Sequence, residues 1–577
     1  MSCMLFMQYK WTVLTNTMLG ALMASINMNI VMVTLPTIFR GLNINPFAAG
    51  EFTYLLWILM GYSIVLATIL VTFGRISDIF GRVRMYTWGF IIFTIASILL
   101  SIVPSGTGNT GALLLIIFRM VQAVGGGFLM VNSTALITDA FPVNERGKAL
   151  GINQIAFIVG SLFGLILGGF LAGYDWHLVF IVNIPFAVAG TFWSIFMLKE
   201  KAEKQRIKMD YWGNITLALS LILISLGFTY TLEPYGSSQM GWGSPWVIAA
   251  FILGIIFLII FIIIERRVKE PLFNLSLFKI RPFTYGNLSL LLSGLGRGAV
   301  MFLVIIWLQG IYLPLHGYSY TETPFWAGIY MLPMLLGMVI FGPIGGALTD
   351  KYGARPFATA GMIITAVALY LLTLLPYNFN LLEFETIMFI IGVGGGLFAS
   401  PNTTAIMNAV SSKDRASANG MRMTINNIAA TISMAIFFSI AITIFSNNLP
   451  SAMLKGALNA GVPGPIAAIL SKIPASGLLF GAFLGVNPVS ALPSQLLSSM
   501  PVNALKALES NTFIPNIIGP SFMTGLSYSI YIAVALSILG AVFSALMGER
   551  YVHEEHYVPE NNEMPKNVPG GVKNGKP

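Results

Sequence analysis

The stretch AVGGGFLMVNSTALITDAFPVNERGKALG (residues 123–151) returns later in the chain as GVGGGLFASPNTTAIMNAVSSKDRASANG (392–420). At a constant offset of 269, the two stretches share ten identities in 29 positions without a gap. The identities include three consecutive glycines and the basic pair Arg146 and Arg415. Agreement over this length indicates an internal duplication.

A second pair of similar segments lies upstream of these stretches. GRISDIFGRVR (74–84) and GALTDKYGAR (346–355) both read Gly-x3-Asp-x2-Gly, with a basic residue close behind. Asp78 and Asp350 are 272 residues apart, which is nearly the same offset. The chain is therefore built as two similar halves.

The composition places both halves in a membrane. Of the 577 residues, 56% are apolar and only 9% are charged, and the mean hydropathy is +0.80. Runs of about 20 apolar residues recur along the chain, which is the length a helix needs to cross the hydrocarbon core. A β-barrel would show short alternating segments instead. We therefore expect an all-α integral membrane protein.

Hydropathy predicts fourteen membrane helices, with both chain ends on one side. Their approximate positions are 12–39, 53–73, 86–103, 112–138, 150–172, 178–198, 213–232, 246–264, 284–313, 325–347, 357–375, 386–409, 417–445 and 522–547.

These spans divide the chain into two six-helix bundles, with two surplus helices between them. The expected units are an N-terminal bundle (1–211), the two extra helices with a cytoplasmic linker (212–282), a C-terminal bundle (283–547) that contains an external, proline-broken loop (446–520), and a disordered cytoplasmic tail (548–577).

The net charge of +9 indicates how the chain is oriented in the membrane and does not indicate nucleic-acid binding. Of the 31 Lys and Arg residues, 24 fall on one side of the predicted spans. The positive-inside rule places that side, and both termini, in the cytoplasm. The first apolar stretch is too long for a signal peptide, so we expect it to be retained. The only cysteine is Cys3, which excludes an internal disulfide.

The segment GRISDIFGRVR (74–84) resembles the signature loop of the major facilitator superfamily. Its glycines permit a tight turn, and Asp78 can meet a cation or a helix N-terminus. A purely topogenic basic loop would not need the acid or the glycines. Two parallel six-helix repeats with a site between them are how transporters of this superfamily alternate access.

Three further motifs narrow the resemblance to the fourteen-helix drug:proton antiporter branch. They are Arg119-x-x-Gln122, GSLFGLILGG (160–169) and DWHLVFIVNIP (175–185). The second has leucine where the branch has proline, and the third has histidine where arginine is usual. The resemblance implies the major facilitator fold and secondary active export of amphipathic or cationic organic compounds. It also implies an ion gradient, that of protons, as the driving force, without a cofactor.

The resemblance and the repeat also indicate which residues take part in conformational gating. Gly160, Gly164 and Gly168 share one helix face and permit a close helix contact, which ordinary packing explains as well as rocking does. The gating candidates are Gly74, Asp78, Gly81, Arg82, Arg146, Gly160, Gly164, Gly168, Asp350, Gly353, Arg355 and Arg415.

The first predicted helix departs from the family in its coupling residue. The branch usually carries an acid there, and this chain has Asn27, which cannot exchange protons near neutral pH. We expect Asn27 to line the cavity and Asn29, about 200° away around the helix, to join neighbouring helices. None of the 22 acidic residues lies near the middle of a span. A proton carrier would therefore be one of the acids near a span end, which are Glu51, Glu322 and Asp139, or a buried histidine-like group, or would be absent.

Polar residues in the spans form the candidate substrate site. Arg119 would cost about 3 kcal/mol or more at mid-helix, so it should face a cavity or a partner, although a structural hydrogen-bonding hub is the alternative. The candidates for substrate binding or coupling are Asn27, Arg119, Gln122, Asn132, Arg297, Gln309, Glu322 and Asn402.

The sequence is also compatible with two other functions. An uncoupled facilitator of the same fold is favoured by the missing acid, and a receptor or scaffold is possible because a fold does not establish a function. No HExxH, Cys/His cluster or phosphate-binding loop supports an enzyme or a metal site. We expect a monomer in the cell membrane, whose partners are lipid and a small amphipathic substrate.

Overall fold

The computed structural model is helical. It describes residues 9–548 except 46, 48–49, 201–209, 232, 234, 237, 239, 269–270, 272, 412–414, 488, 490–491, 494–495 and 497–499. The described residues contain fourteen helices or helix pairs that are long and apolar enough to cross a membrane, as the sequence predicts. The predicted tail lies, from residue 549 onward, outside the described residues.

The N-terminal half contains six spans, the last of them in two pieces. They are α1 (Tyr9–Leu42), α2 (Glu51–Phe80), α3 (Arg82–Ser101), α4 (Gly108–Ala140), α5 (Val143–Ala172), and α6 (Leu178–Ile181) with α7 (Asn183–Met197).

The two surplus helices follow, and they lie on the outside of the bundle. They are α8 (Tyr211–Tyr230) and α9 (Pro245–Arg267). α8 packs against α2 and, across the boundary between the halves, against the fifth span of the C-terminal half, α16 (Arg415–Asn459). Just after α8, the hydroxyl groups of Thr231 and Ser439 lie 2.5 Å apart.

The C-terminal half repeats the six-span arrangement with two interruptions. Its spans are α10 (Arg281–Trp307) with a π-helical turn (Leu308–Tyr312) and α11 (Leu313–Leu315), α12 (Thr323–Tyr330) with α13 (Leu332–Tyr352), α14 (Ala354–Thr373), α15 (Leu381–Asn408), α16, and α20 (Phe513–Ala545).

The repeated glycine triplets make the same close helix crossing in each half. A Cβ atom at Gly125 of α4 would lie 2.8 Å from the carbonyl oxygen of Gly89 of α3. A Cβ atom at Gly394 of α15 would lie 2.8 Å from the carbonyl oxygen of Gly361 of α14. Only residues without a side chain let two helix backbones approach this closely.

The repeated Gly-x3-Asp-x2-Gly segments also form matching turns. Gly81, between α2 and α3, has φ +109°, and Gly353, between α13 and α14, has φ +86°. The amide of Gly81 donates to the carbonyl of Ser77, and that of Gly353 donates to the carbonyl of Thr349. Because L-residues rarely adopt positive φ, the second glycine of each motif is needed for the turn.

The bundle has two unlike faces. One face, on which most of the Lys and Arg residues fall, is called the basic face, and it contains the repeated turns at Gly81 and Gly353. The opposite face, which contains the other helix ends, is called the far face. Every residue of the first C-terminal span from Phe302 to Pro314, toward the far face, is buried. In the same span, residues 291–293, 295, 297 and 298 keep partial exposure. The bundle is therefore more tightly closed toward its far face.

Polar and backbone contacts between the halves produce this closure. Arg40 Nη2 donates to the carbonyl of Tyr320 at 3.0 Å. Gln309 Nε2 donates to the carbonyl of Val33 at 3.2 Å. α5 also packs directly on α12, because Gly328 has no side chain to separate the two backbones.

The segment expected as an external loop (446–520) is largely helical at both ends. α16 continues to Asn459, and α20 begins at Phe513. Hydropathy falls after residue 445, but Leu449, Met453 and Ala457 recur at helical spacing and are buried. A span boundary drawn from mean hydropathy misses such an amphipathic extension, whose apolar stripe packs on the bundle.

The remaining insertion places a buried helix at the far face. α17 (Gly464–Leu470) and α18 (Ala475–Leu484) meet at an angle of 87°. Every residue of α18 is buried. It contacts α1 and α2 of the N-terminal half and α16, α20 and the π-helical turn of the C-terminal half. α18 thus fills the space between the halves; it is not a surface helix.

The glycine crossings predict a position-dependent effect of one substitution. Gly394→Ala would place a Cβ atom 2.8 Å from the Thr365 amide nitrogen and should destabilise the protein by about 1–3 kcal/mol, as overpacking does. The measurement is the thermal midpoint of the detergent-solubilised protein, followed by size-exclusion chromatography after heating.

The matched control is Gly342→Ala in α13, where no atom lies within 4 Å of the added Cβ. Its midpoint should stay at or above that of the parent protein, because alanine is the better helix former. Equal losses for both variants would contradict the close-crossing interpretation.

Candidate substrate pathway

A buried polar chain crosses the N-terminal half. Arg119 Nη1 donates to Gln122 Oε1 at 3.2 Å, and Gln122 Nε2 donates to Ser97 Oγ at 2.9 Å. The guanidinium of Arg119 also lies over the ring of Tyr62, 4.6 Å from its centroid. The i, i+3 spacing places Arg119 and Gln122 on one face of α4, so the motif forms a hydrogen-bonded unit.

The middle glycine of the triplet makes room for this cluster. A Cβ atom at Gly126 would lie 2.6 Å from the Tyr62 hydroxyl. Among the described residues, Arg119 Nε has no hydrogen-bond partner, and the Tyr62 hydroxyl meets only the side chain of Asn27. Both groups are buried, so unused hydrogen-bonding capacity remains at the centre of the half.

Asn27 lies beside this cluster. Its side chain is fully buried and contacts the Tyr62 hydroxyl, and its amide atoms meet no other polar partner within the described part of the chain. Asn29 is half-buried, and its Nδ2 donates to the Ser25 carbonyl one turn back. Asn27 is therefore the amide with free capacity, whereas Asn29 is satisfied by its own helix.

The predicted polar residues of the C-terminal half do not form one cluster. Arg297 Nη1 approaches Gly395, where an added Cβ would lie 3.2 Å away. Asn402 is buried near Gly286, and its amide meets no partner among the described residues. Gln309 belongs to the far-face closure through its bond to Val33.

Arg422, although not among the predicted site residues, joins two helices of this half. Its Nη2 donates to Asn419 Oδ1 at 3.1 Å, and its Nη1 reaches Thr403 Oγ1 at 3.5 Å. Asn419 Nδ2 also approaches Thr134 of α4 at 3.4 Å, across the boundary between the halves. Thr134 and Thr403 are equivalent positions in the internal repeat.

Asn132 and Glu322 lie apart from these groups. Asn132 is buried in α4, and its Nδ2 donates to the Phe128 carbonyl at 2.9 Å. Glu322 lies on the far-face surface before α12, not in a cavity, where the Ser319 hydroxyl and amide donate to its carboxylate. These bonds hold the pKa of Glu322 below its usual range.

The repeated turn of the N-terminal half is held by an ion-pair cluster. Arg82 Nη1 lies 2.7 Å from Asp139 Oδ1, and Arg82 Nη2 lies 2.9 Å from Asp78 Oδ1. Glu200 accepts from the amides of Arg82 and Val83 at the N-terminus of α3. Asp139, an expected proton-carrier candidate, is therefore paired with a cation.

The glycines of α5 pack on α1. Cβ atoms at Gly160, Gly164 and Gly168 would lie 2.5, 2.7 and 3.0 Å from the carbonyl oxygens of Leu22, Ile26 and Ile30. The predicted glycine stripe is thus a close crossing of the two helices.

Of the other gating candidates, Gly74 packs near Val131 and Arg355 is exposed. The side chains of Arg146, Asp350 and Arg415 lie outside the described ones.

Sequence reasoning missed Tyr62, Ser97 and the buried helix α18. Tyr62 and Ser97 stand in apolar spans without a motif of their own, so only their contacts reveal them. The internal repeat contained one signal of a polar contact at these positions. Gly126 and Gly395 are equivalent in the two halves, and each lies beside the polar end of a side chain.

The chain resembles known transporters over most of its length. Residues 17–270, 213–434 and 286–554 match the Major Facilitator Superfamily. Multidrug resistance protein 3 of Bacillus subtilis is 30% identical over 453 residues, which cover 78% of this chain and 83% of that protein. The riboflavin transporter RibZ of Clostridioides difficile is 31% identical over 438 residues, which cover 75% and 88%.

A solved structure shows the same fold at lower identity. It is a bacterial homologue of the human lysosomal transporter Spinster, in an inward-facing and occupied conformation. The TM-score is 0.53 at 16% identity, over 94% of this chain and 97% of that one.

The ion-pair cluster predicts a specific loss in one arginine variant. Arg82→Gln would leave Asp78 and Asp139 without their shared cation and should cost about 1–2 kcal/mol of stability, a value reduced by partial exposure. The thermal midpoint of the detergent-solubilised protein at neutral pH measures this loss.

Arg84→Gln is the matched control, since Arg84 is exposed and two residues away. It should change the midpoint little. An Arg82→Gln midpoint equal to that of the control would rule out the stabilising role of the cluster.

The position of Glu322 predicts that it is not the proton carrier. A carrier needs a pKa near the operating pH, whereas that of Glu322 is lowered, so its carboxylate stays ionised. Glu322→Gln should leave the dependence of substrate flux on an imposed pH gradient unchanged in proteoliposomes. If the parent protein does show gradient-driven flux and this variant loses it, Glu322 is the carrier after all.

Proposed function

The chain belongs to the major facilitator superfamily, and from this we propose that it is a secondary transporter that exports amphipathic organic compounds by alternating access between its two halves. The superfamily comprises transporters, not enzymes. The expected activity is multidrug efflux, with the substrate bound among polar residues of both halves.

The observation that carries this proposal is the unequal closure of the two faces. The halves are locked together toward the far face by Arg40, Gln309 and the α5–α12 crossing. Toward the basic face, residues of α10 stay partly exposed, and the Asn419–Thr134 bond is long at 3.4 Å. Two similar halves closed at one end are what alternation about a central site requires.

The named relatives support an organic substrate. One is named a multidrug resistance protein and another a riboflavin transporter, so proteins about 30% identical to this chain carry names for different organic solutes.

We infer that the basic face is cytoplasmic and that both termini lie there. The excess of Lys and Arg in the loops of this face supports the assignment. The cell membrane is the proposed location. Because a single chain contains both halves, a monomer suffices for alternation.

For gating, we propose that α5 rocks on the glycine stripe formed by Gly160, Gly164 and Gly168. The same helix contacts α1 on one side and α12 on the other, so its movement would couple the two halves. Arg146, Asp350 and Arg415 are proposed to act at the basic-face turns with Arg82.

Two observations argue against proton coupling. Asn27 stands at the position where the resembled branch carries an acid, and Asp139 is paired with Arg82. An uncoupled facilitator of the same fold is therefore the second candidate.

Flux in liposomes separates these possibilities. Purified protein would be assayed with a panel of amphipathic dyes, with and without a pH gradient, beside an Asn27→Asp variant. We expect downhill flux in the parent protein and gradient-driven flux only in the variant, because position 27 would then carry a titratable carboxylate where the resembled branch has its acid.

Uphill flux in the parent protein would instead show that another group carries the proton. Asn29→Asp is the matched control, since Asn29 bonds to its own helix; it should not confer coupling. No flux of any compound would reject transport and favour a receptor or scaffold.

A further inference from the structure

The membrane interior of this protein carries positive charge without negative charge. Arg119, Arg297 and Arg422 stand within spans, the first two well inside their helices and Arg422 seven residues after the start of α16. α10, α14, α16 and α20 contain no Asp or Glu, and the acids of α13 and α15 stand near their ends. Ion pairs between described side chains do not involve these three arginines.

Arg297 cannot escape from this environment by extending along its helix. It lies 16 residues beyond Arg281, the first residue of α10, or about 24 Å along the helix axis. An arginine side chain reaches only a fraction of that distance. Its guanidinium instead lies against Gly395, with Met338 beside the same glycine.

The position of Arg297 indicates a cavity wall. Gly395 is the middle glycine of the C-terminal triplet, and its lack of a side chain lets the guanidinium lie directly against the backbone of α15. Arg297 keeps partial exposure although α10 packs against α15, α16 and α20. A cation here faces space that can admit solvent or substrate.

Arg422 contacts the same helix, α15, nearer the basic face. Its partner Thr403 stands eight residues after Gly395 on α15, about 12 Å along the helix. Its hydrogen bonds within the described part of the chain go to Asn419 and Thr403, which are neutral and do not balance its charge. The two arginines thus form a positive path from the basic face toward the middle of the bundle.

We propose that the transported compounds carry an acidic group, a carboxylate or sulfonate, that binds Arg297 after Arg422 has drawn it in from the basic face. This inference rests on the proposed transport function and narrows its substrate class. A guanidinium and an oxyanion form strong charge-assisted hydrogen bonds. A lipophilic cation in the same place would meet a like charge, which is unfavourable. The cationic compounds expected from the family resemblance are therefore poor candidates.

The test compares two dyes that differ in one charge. Rhodamine B carries a free benzoate, and its ethyl ester is a cation with the same chromophore. The full-length protein would be reconstituted in phosphatidylcholine vesicles, so that no anionic lipid competes for the arginines. Initial rates over a range of concentrations give kcat/KM for each dye.

We expect the parent protein to prefer the acid. Arg297→Gln should lower kcat/KM for the acid about tenfold, the effect of losing roughly one charge-assisted bond, and leave the ester little changed. Arg297→Lys should retain the preference and guards against a folding defect of the first variant. Lys506→Gln, an exposed lysine of α19 (Val502–Glu509), removes one positive charge elsewhere and should alter neither rate.

Three outcomes would overturn the inference. Transport of the ester at least as efficient as that of the acid would reject the acidic substrate class while leaving transport intact. A preference that survives Arg297→Gln would remove Arg297 as the binding group. Absence of flux for both dyes and for the wider panel would reject the transport function itself, and the substrate class with it.

Discussion

The close crossing of helix backbones at repeated glycines is the constraint on which this structure depends. In lipid, helices gain little from burying apolar surface against one another, so tight packing must stabilise each half. Gly125 against Gly89 and Gly394 against Gly361 supply the same crossing twice. The neighbouring glycine of each triplet then faces Tyr62 in one half and Arg297 in the other. One short motif therefore both packs the helices and makes room for a polar side chain.

The same principle governs how the halves meet. α5 approaches α1 through one glycine stripe and α12 through Gly169 and Gly328, so it has little side-chain bulk on either side. Such a helix can change its packing with small movements, whereas α18, buried on every side, adds a filled volume to the far face. Opening that face would require α18 to separate from at least one half. The insertion thus raises the cost of the far-open state.

Much of the fold was predictable because it depends on the mean hydropathy of long segments and on an internal sequence repeat with a nearly constant offset. Fourteen apolar runs gave the spans, and the offset near 270 gave the two halves. The predicted ends near 445 and 522 missed the helical extensions of α16 and α20, since hydropathy does not distinguish an amphipathic helix from a loop. At the site, the Arg119–Gln122 pair followed from its spacing. Tyr62 and Ser97 could not be foreseen, because their importance lies in contacts between helices.

The absence of a central carboxylate and the presence of uncompensated arginines have one consistent consequence for energetics. An exporter of cations must work against an inside-negative membrane potential, which costs about 2.3 kcal/mol per charge per 100 mV. For an anion leaving the cytoplasm the sign reverses, and the potential itself drives export. If the substrate is acidic as proposed, Arg297 and Arg422 together with the amide of Asn27 fit export without proton coupling, because the substrate itself carries the charge on which the membrane field acts.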